Sequence, residues 1–125
     1  MTVGDSGTVL TSSDGTSWDN RTSGTVYFLH GVTYANSTFV AVGNYVGNGT
    51  IITSSDGISW TVNSVGHFGS IYRVTYANNS FMIVGISGKI LISSDLSSSG
   101  GTFGTAWTIM TSGTSNALYE VTYKE

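Results

Sequence analysis

An all-β fold built from repeated four-stranded units is predicted by three features of this 125-residue chain. The first is the eight-residue stretch TSSDGTSW at residues 11–18, which returns as TSSDGISW at residues 53–60. A third copy, split by an insertion, runs from Ser93 to Trp107. The second is spacing: Trp18, Trp60 and Trp107 follow one another at 42 and 47 residues. The third is the alternation of short, β-branched apolar runs with Gly, Asn, Asp and Ser clusters, with proline absent throughout. A period in the low forties with four strand-like runs per unit is that of a β-propeller blade. Three such periods, approximately residues 2–43, 44–85 and 86–125, account for the whole length as one domain.

Composition narrows the function classes. Hydrophobic residues make up 39% and charged residues 9%, the reverse of what a disordered chain carries. No apolar run approaches about 18 residues, so no membrane-spanning helix is expected. No basic segment followed by an apolar core opens the sequence, so no signal peptide is read from it. The net charge is −3, and the only basic residues are Arg21, Arg73, Lys89 and Lys124. These cannot build a phosphate-neutralising stripe, so nucleic acid is not an expected partner. With no cysteine, disulfides and thiolate metal sites are excluded. Asn20, Asn36, Asn48 and Asn78 each begin an Asn-x-Ser/Thr triplet; chance produces such triplets in this composition, and they tilt the compartment only slightly towards secretion.

Within a unit the strands are read as A to D. Residues 2–4 match the end of strand B in later copies, residues 41–43 and 83–85. Strand C is expected at 7–12, 50–54 and 89–93, and strand D at 18–22, 60–63 and 107–111. Strand A is expected at 29–35, 71–77 and 118–123, where GVTYAN, RVTYAN and EVTYKE align on Val32, Val74 and Val121. Asn36-Ser37 and Asn78-Asn79 are the A–B turns. The strands are apolar on both faces, as suits sheets covered on both sides. No segment shows a helical period with caps.

The repeated stretch reads as a rigid corner between strands C and D. Asp and Ser accept hydrogen bonds from backbone N–H groups two or three residues on, Gly takes left-handed angles, and the Trp wedges against a neighbouring sheet. Its residues are Ser13, Asp14, Gly15 and Trp18; Ser55, Asp56, Gly57 and Trp60; and Ser94, Asp95 and Trp107. The motif resembles the Asp-box, or BNR, repeat of sialidase-type propellers and related bacterial propeller proteins, whose usual pattern is Ser/Thr-x-Asp-x-Gly-x-Thr/Ser-Trp. Here Asp14 and Asp56 lie four residues before the Trp rather than five, so the corner is one residue tighter, or Ser13 and Ser55 take the usual Asp place. The resemblance covers the chain through its repeats and implies a fold, with the motif as a structural corner rather than a catalytic group.

The strand inventory amounts to three blades cut inside an A–B hairpin. An open arc leaves unpaired strand edges and bare end faces. Closure is therefore expected through a second copy, the terminal strand A of one chain pairing with residues 2–4 of another. Two copies give a six-bladed homodimer; a nine-bladed trimer and an excised piece of a longer propeller are the alternatives.

In such a meander the B–C and D–A connections share one face of the disc. That face collects Tyr27, Phe28, His30, Tyr45, His67, Phe68, Tyr72, Arg73, Asn116, Tyr119 and Glu120. His30 aligns with Tyr72 and Tyr119, and Gly31 with Arg73 and Glu120. Tyr27, His30, Tyr45, His67, Tyr72, Arg73, Tyr119 and Glu120 are the ligand-binding candidates, able to hold a sugar by stacking and hydrogen bonds. The competing structural reading is that the aromatics cover strand ends and Arg73 pairs with Glu120. No enzyme is expected: the sialidase chemistry that the resemblance implies needs an arginine cluster, a Tyr–Glu pair and an acid, and this chain holds two Arg and two Glu. His30 and His67 lack ligand spacing, so no metal or other cofactor is expected. Three functions remain: a self-assembling scaffold or glycan-binding module, a designed or excised fragment without a ligand, and a remnant glycosidase. The insertion at residues 96–106 and the longer loop at 44–49 are further places where function can sit on such a scaffold.

Overall fold

The computed structural model describes residues 1–65, 68–93 and 107–124. Three antiparallel sheets stand in chain order, and within each every strand pairs with its neighbours in sequence. The first holds β1 (Thr2–Val3), β2 (Val9–Thr11) and β3 (Asp19–Arg21). The second holds β4 (Phe28–Ala35), β5 (Thr38–Tyr45), β6 (Asn48–Ser54) and β7 (Thr61–Val65). The third holds β8 (Ile71–Ala77), β9 (Ser80–Gly85), β10 (Ile90–Ser93) and β11 (Thr108–Met110). Among the described residues there is no α-helix, only two 3-10 turns at Asp5–Gly7 and Ile86–Gly88. The third Ser-Asp corner, Ser94 and Asp95, and the insertion at 96–106 lie outside the described residues, as does His67.

Turn chemistry explains the hairpins. Asn36 and Ser37 have φ of 48° and 57°, and Asn78 and Asn79 have 50° and 57°, the paired left-handed residues of a two-residue hairpin turn. The segment expected as a loop at 44–49 is instead a third such hairpin. Asn44 pairs with Gly49 and Tyr45 with Asn48, leaving Val46-Gly47 as the turn. Val46 holds a β-branched side chain at φ 47° while 78% exposed, so no packing offsets its strain. Val46→Asn is expected to stabilise the protein by about 1 kcal/mol, since Asn tolerates this conformation. A calorimetric Tm a few degrees above the parent's is the expected result; an unchanged or lower Tm would contradict it.

The core lies between the sheets. Val9, Leu29, Ala41 and Ile52 fill the space between the first and second, with Met1, Val3, Val32 and Trp60 around them. Val40, Val42 and Ile51 meet Phe81, Ile83, Leu91 and Trp107 between the second and third. Successive residues of β5 and β6 point to opposite faces and both faces are covered, which is why these strands carry no polar alternation. Each fully buried aliphatic side chain contributes about 1.5–3 kcal/mol.

The corner tryptophans divide by neighbour. Trp107 is 8% exposed in the gap between the second and third sheets. Trp60 is half-buried in the gap between the first and second, against Phe39 at 6.4 Å between ring centroids. Trp18 is 45% exposed. The expected wedging therefore holds for Trp60 and Trp107 and fails for Trp18, because the first sheet has no sheet on that side.

The expected strand at residues 118–123 also differs from the structure. Leu118 donates its N–H to Gly85 O at 2.9 Å, repeating the Leu29 N–H to Gly4 O bond at 3.1 Å. Beyond it these residues join no ladder among the described residues. A strand needs a partner, and β1, whose outer edge is open, belongs to the first sheet.

Candidate functional site

Two arrangements carry the predicted site residues. The first is the corner after β2 and β6. Asp14 Oδ1 accepts from Thr16 N and Ser17 N, both at 2.8 Å, and from Ser12 Oγ at 3.1 Å. Ser12 Oγ in turn accepts from Gly15 N at 2.8 Å. Asp56 repeats this with Ile58 N at 2.8 Å, Ser59 N at 2.9 Å and Ser54 Oγ at 3.0 Å, and Ser54 Oγ accepts from Gly57 N at 2.8 Å. The Asp thus carries the corner itself in its tightened form. The hydroxyl that closes it belongs to Ser12 and Ser54, and Ser13 and Ser55 take no part in these bonds. Both serines recur in every copy, so the pattern alone did not distinguish them.

The backbone N–H of Ser17, then that of Thr16, hold the Asp14 carboxyl far below the ordinary aspartate range; Ser59 and then Ile58 lower Asp56 in the same way. A carboxyl depressed on folding adds stability that is present above the unfolded value near 3.8 and lost as pH falls through the folded value. Unfolding midpoints are therefore expected to decline as pH drops below about 4. In Asp14→Asn/Asp56→Asn that decline should be shallower and the neutral-pH stability lower. An acid limb identical to the parent's would rule out this contribution.

The second arrangement lies at the shared end of the sheets, where β4 and β8 begin and β5 and β9 end. The ladder of β4 with β5 passes from Leu29↔Gly43 to Gly31↔Val42, so His30 is an extra, bulged residue. β8 does the same: Ile71↔Gly85 is followed by Arg73↔Val84, and Tyr72 is left over. A bulge aims its side chain out of the pleat. His30 and Tyr72 rings consequently meet at 5.7 Å between centroids, and Tyr72 meets Tyr119 at 4.9 Å, forming a row of three. His30 Nε2 bonds Asn44 Oδ1 at 2.5 Å. Tyr27 and Tyr45 form a separate stack at 4.5 Å with 14° between planes.

Arg73 lies over Gly31, where a Cβ would come within 3.3 Å of its Cα and Cδ. Its Nη1 donates to His30 O at 2.9 Å and its Nε to Glu120 Oε2 at 3.1 Å. The pairing read from sequence is thus present, and with the bond to His30 it engages two of the five guanidinium N–H donors. Both side chains remain well exposed, 40% and 66%, so the pair contributes about 0–1 kcal/mol. Phe68 packs on the core, with Lys89 5.9 Å above its ring. The bulges, the His30–Asn44 bond and the Tyr27–Tyr45 stack were not legible in the sequence.

Elsewhere, a cleft of about 590 Å³ opens between β3 and Val62, lined by Arg21, Ser23 and Tyr27 among others. Two of its polar side chains are engaged, Arg21 with Thr11 and Asp19 and Ser23 with Thr25. Among the described residues no three His, Asp or Glu side chains gather as metal ligands. Fold and site define an all-β repeat protein of three antiparallel sheets with an aromatic row across one end. No protein-family model, curated protein or solved structure matches the chain.

Proposed function

We propose that this chain is a non-enzymatic, self-assembling β-propeller module of Asp-box type, three blades long, which closes into a six-bladed ring with a second copy and offers its aromatic mouth to a glycan. The observation that carries the assembly is Trp18. Its two equivalents fill the gap to a neighbouring sheet, whereas Trp18, with Leu10 half-buried and Thr2 exposed beside it, faces solvent at 45% exposure. The far face of the third sheet is its natural counterpart, with Met82, Ile90 and Ile92 only half-buried. Two partly exposed faces carrying large apolar side chains at opposite ends of one repeat array are what a closed ring removes.

The binding half of the reading rests on the row His30, Tyr72 and Tyr119 beside Asn44, Arg73 and Glu120. Aromatic faces with amide and charged groups at their edge suit the apolar face and hydroxyls of a pyranose. Native mass spectrometry is expected to give a particle of twice the 13.1 kDa chain mass. A stable lone subunit would end the assembly reading, and three subunits would make it a nine-bladed ring. A glycan array tests the mouth separately: no specific binding by the closed oligomer leaves a scaffold alone, and hydrolysis of a sialoside reporter would overturn the non-enzymatic reading.

A further inference from the structure

We infer that residues 118–122 of one copy pair with β1 of a second copy in a register displaced by a bulge at Tyr119, so that the aromatic row becomes a ring to which both copies contribute. This rests on the ring-closure reading above and deepens it by specifying the contact.

The register follows from three equivalent strand ends. Val3 pairs with Val9, Val42 with Ile51 and Val84 with Ile90, so Gly4, Gly43 and Gly85 occupy one place in the repeat. In both complete sheets the first strand meets that glycine, skips one aromatic residue and then resumes pairing: Leu29, His30, Gly31 in β4, and Ile71, Tyr72, Arg73 in β8. Leu118, Tyr119 and Glu120 stand in the same order before the shared Val-Thr-Tyr. Leu118 is placed as Leu29 is, since its bond to Gly85 O of the preceding sheet copies that of Leu29 to Gly4 O. Carried across, the register sets Leu118 opposite the partner's Gly4, Glu120 opposite the partner's Val3 and Val121 opposite the partner's Thr2. Tyr119 becomes the extra residue.

The chemistry of both sides fits this occupant. Among the described residues the outer edge of β1 pairs with no strand, and such an edge is a template for another chain. Leu118 and Val121 are half-buried, whereas Leu29 and Ile71, the equivalents of Leu118, are 2% and 1% exposed. Tyr119, 65% exposed beyond Tyr72, would continue the row onto the partner's His30. Glu120 keeps Arg73 as its partner, so pairing leaves no charge stranded.

The absence of cysteine makes the test clean. Thr2→Cys/Val121→Cys is expected to yield a covalent dimer under mild oxidation, each pair bridging two subunits. Thr2→Cys/Glu120→Cys, which matches an unbulged ladder, is expected to remain largely uncross-linked. Cross-linking through 120 in place of 121 would overturn the bulged register while leaving ring closure standing. A native-mass dimer that neither pair cross-links would overturn the strand contact. A native-mass monomer would overturn closure and this inference together, and a covalent trimer through 121 would uphold the register and overturn the six-bladed ring. On the unmodified chain, an isotope-filtered contact between Tyr119 of one copy and His30 of another is the expected signature. A dimer lacking that contact would overturn the shared ring.

Discussion

Replacement of Trp107 by alanine is expected to lower the unfolding free energy by about 3–5 kcal/mol, the largest effect of any single truncation here. The indole is 8% exposed and sits among Val40, Val42, Ile51, Ile83 and Leu91, so its loss removes both transfer energy and the packing that joins two sheets. Trp18→Ala, at the equivalent corner, is expected to cost about 1 kcal/mol or less in the open chain because its ring already faces water. If the chain closes with a second copy, the Trp18 cost instead rises towards that of Trp107, and the midpoint becomes concentration-dependent. Urea unfolding of both variants at two protein concentrations measures this directly. A Trp107→Ala cost below about 1 kcal/mol would refute the wedge.

Gly7→Ala is expected to cost about 3 kcal/mol or more, with two causes adding. Gly7 ends the 3-10 turn at φ +69°, and a Cβ there would overlap the Thr25 carbonyl oxygen and lie 2.7 Å from Ser23 Oγ. The close approach is structural: Gly7 N donates to Tyr27 O at 2.6 Å, tying the turn after β1 to the segment that enters β4. Gly47→Ala is the control, since its φ is also positive but nothing lies within 4 Å of its Cβ position. The control should cost about 1 kcal/mol. Equal midpoints for the two variants would show that strain at φ, and not the backbone approach, sets the Gly7 cost.

The sequence by itself determined whatever depends on near neighbours along the chain. The Asn36-Ser37 and Asn78-Asn79 turns follow from residues that tolerate left-handed angles, and the Asp14 and Asp56 corners close over three residues. Aligning the copies was enough to expect Arg73 to face Glu120. Tertiary structure alone decided whatever depends on what lies across a gap. The same corner gives a buried Trp107 and an exposed Trp18, because only one of them has a sheet beside it. The same Val-Thr-Tyr string is a strand at Val32 and Val74 and joins no ladder at Val121 among the described residues, because strand formation needs an edge as well as a propensity. The bulges at His30 and Tyr72 arise from matching two ladders to a shared glycine, a constraint between strands that neither strand's own sequence records.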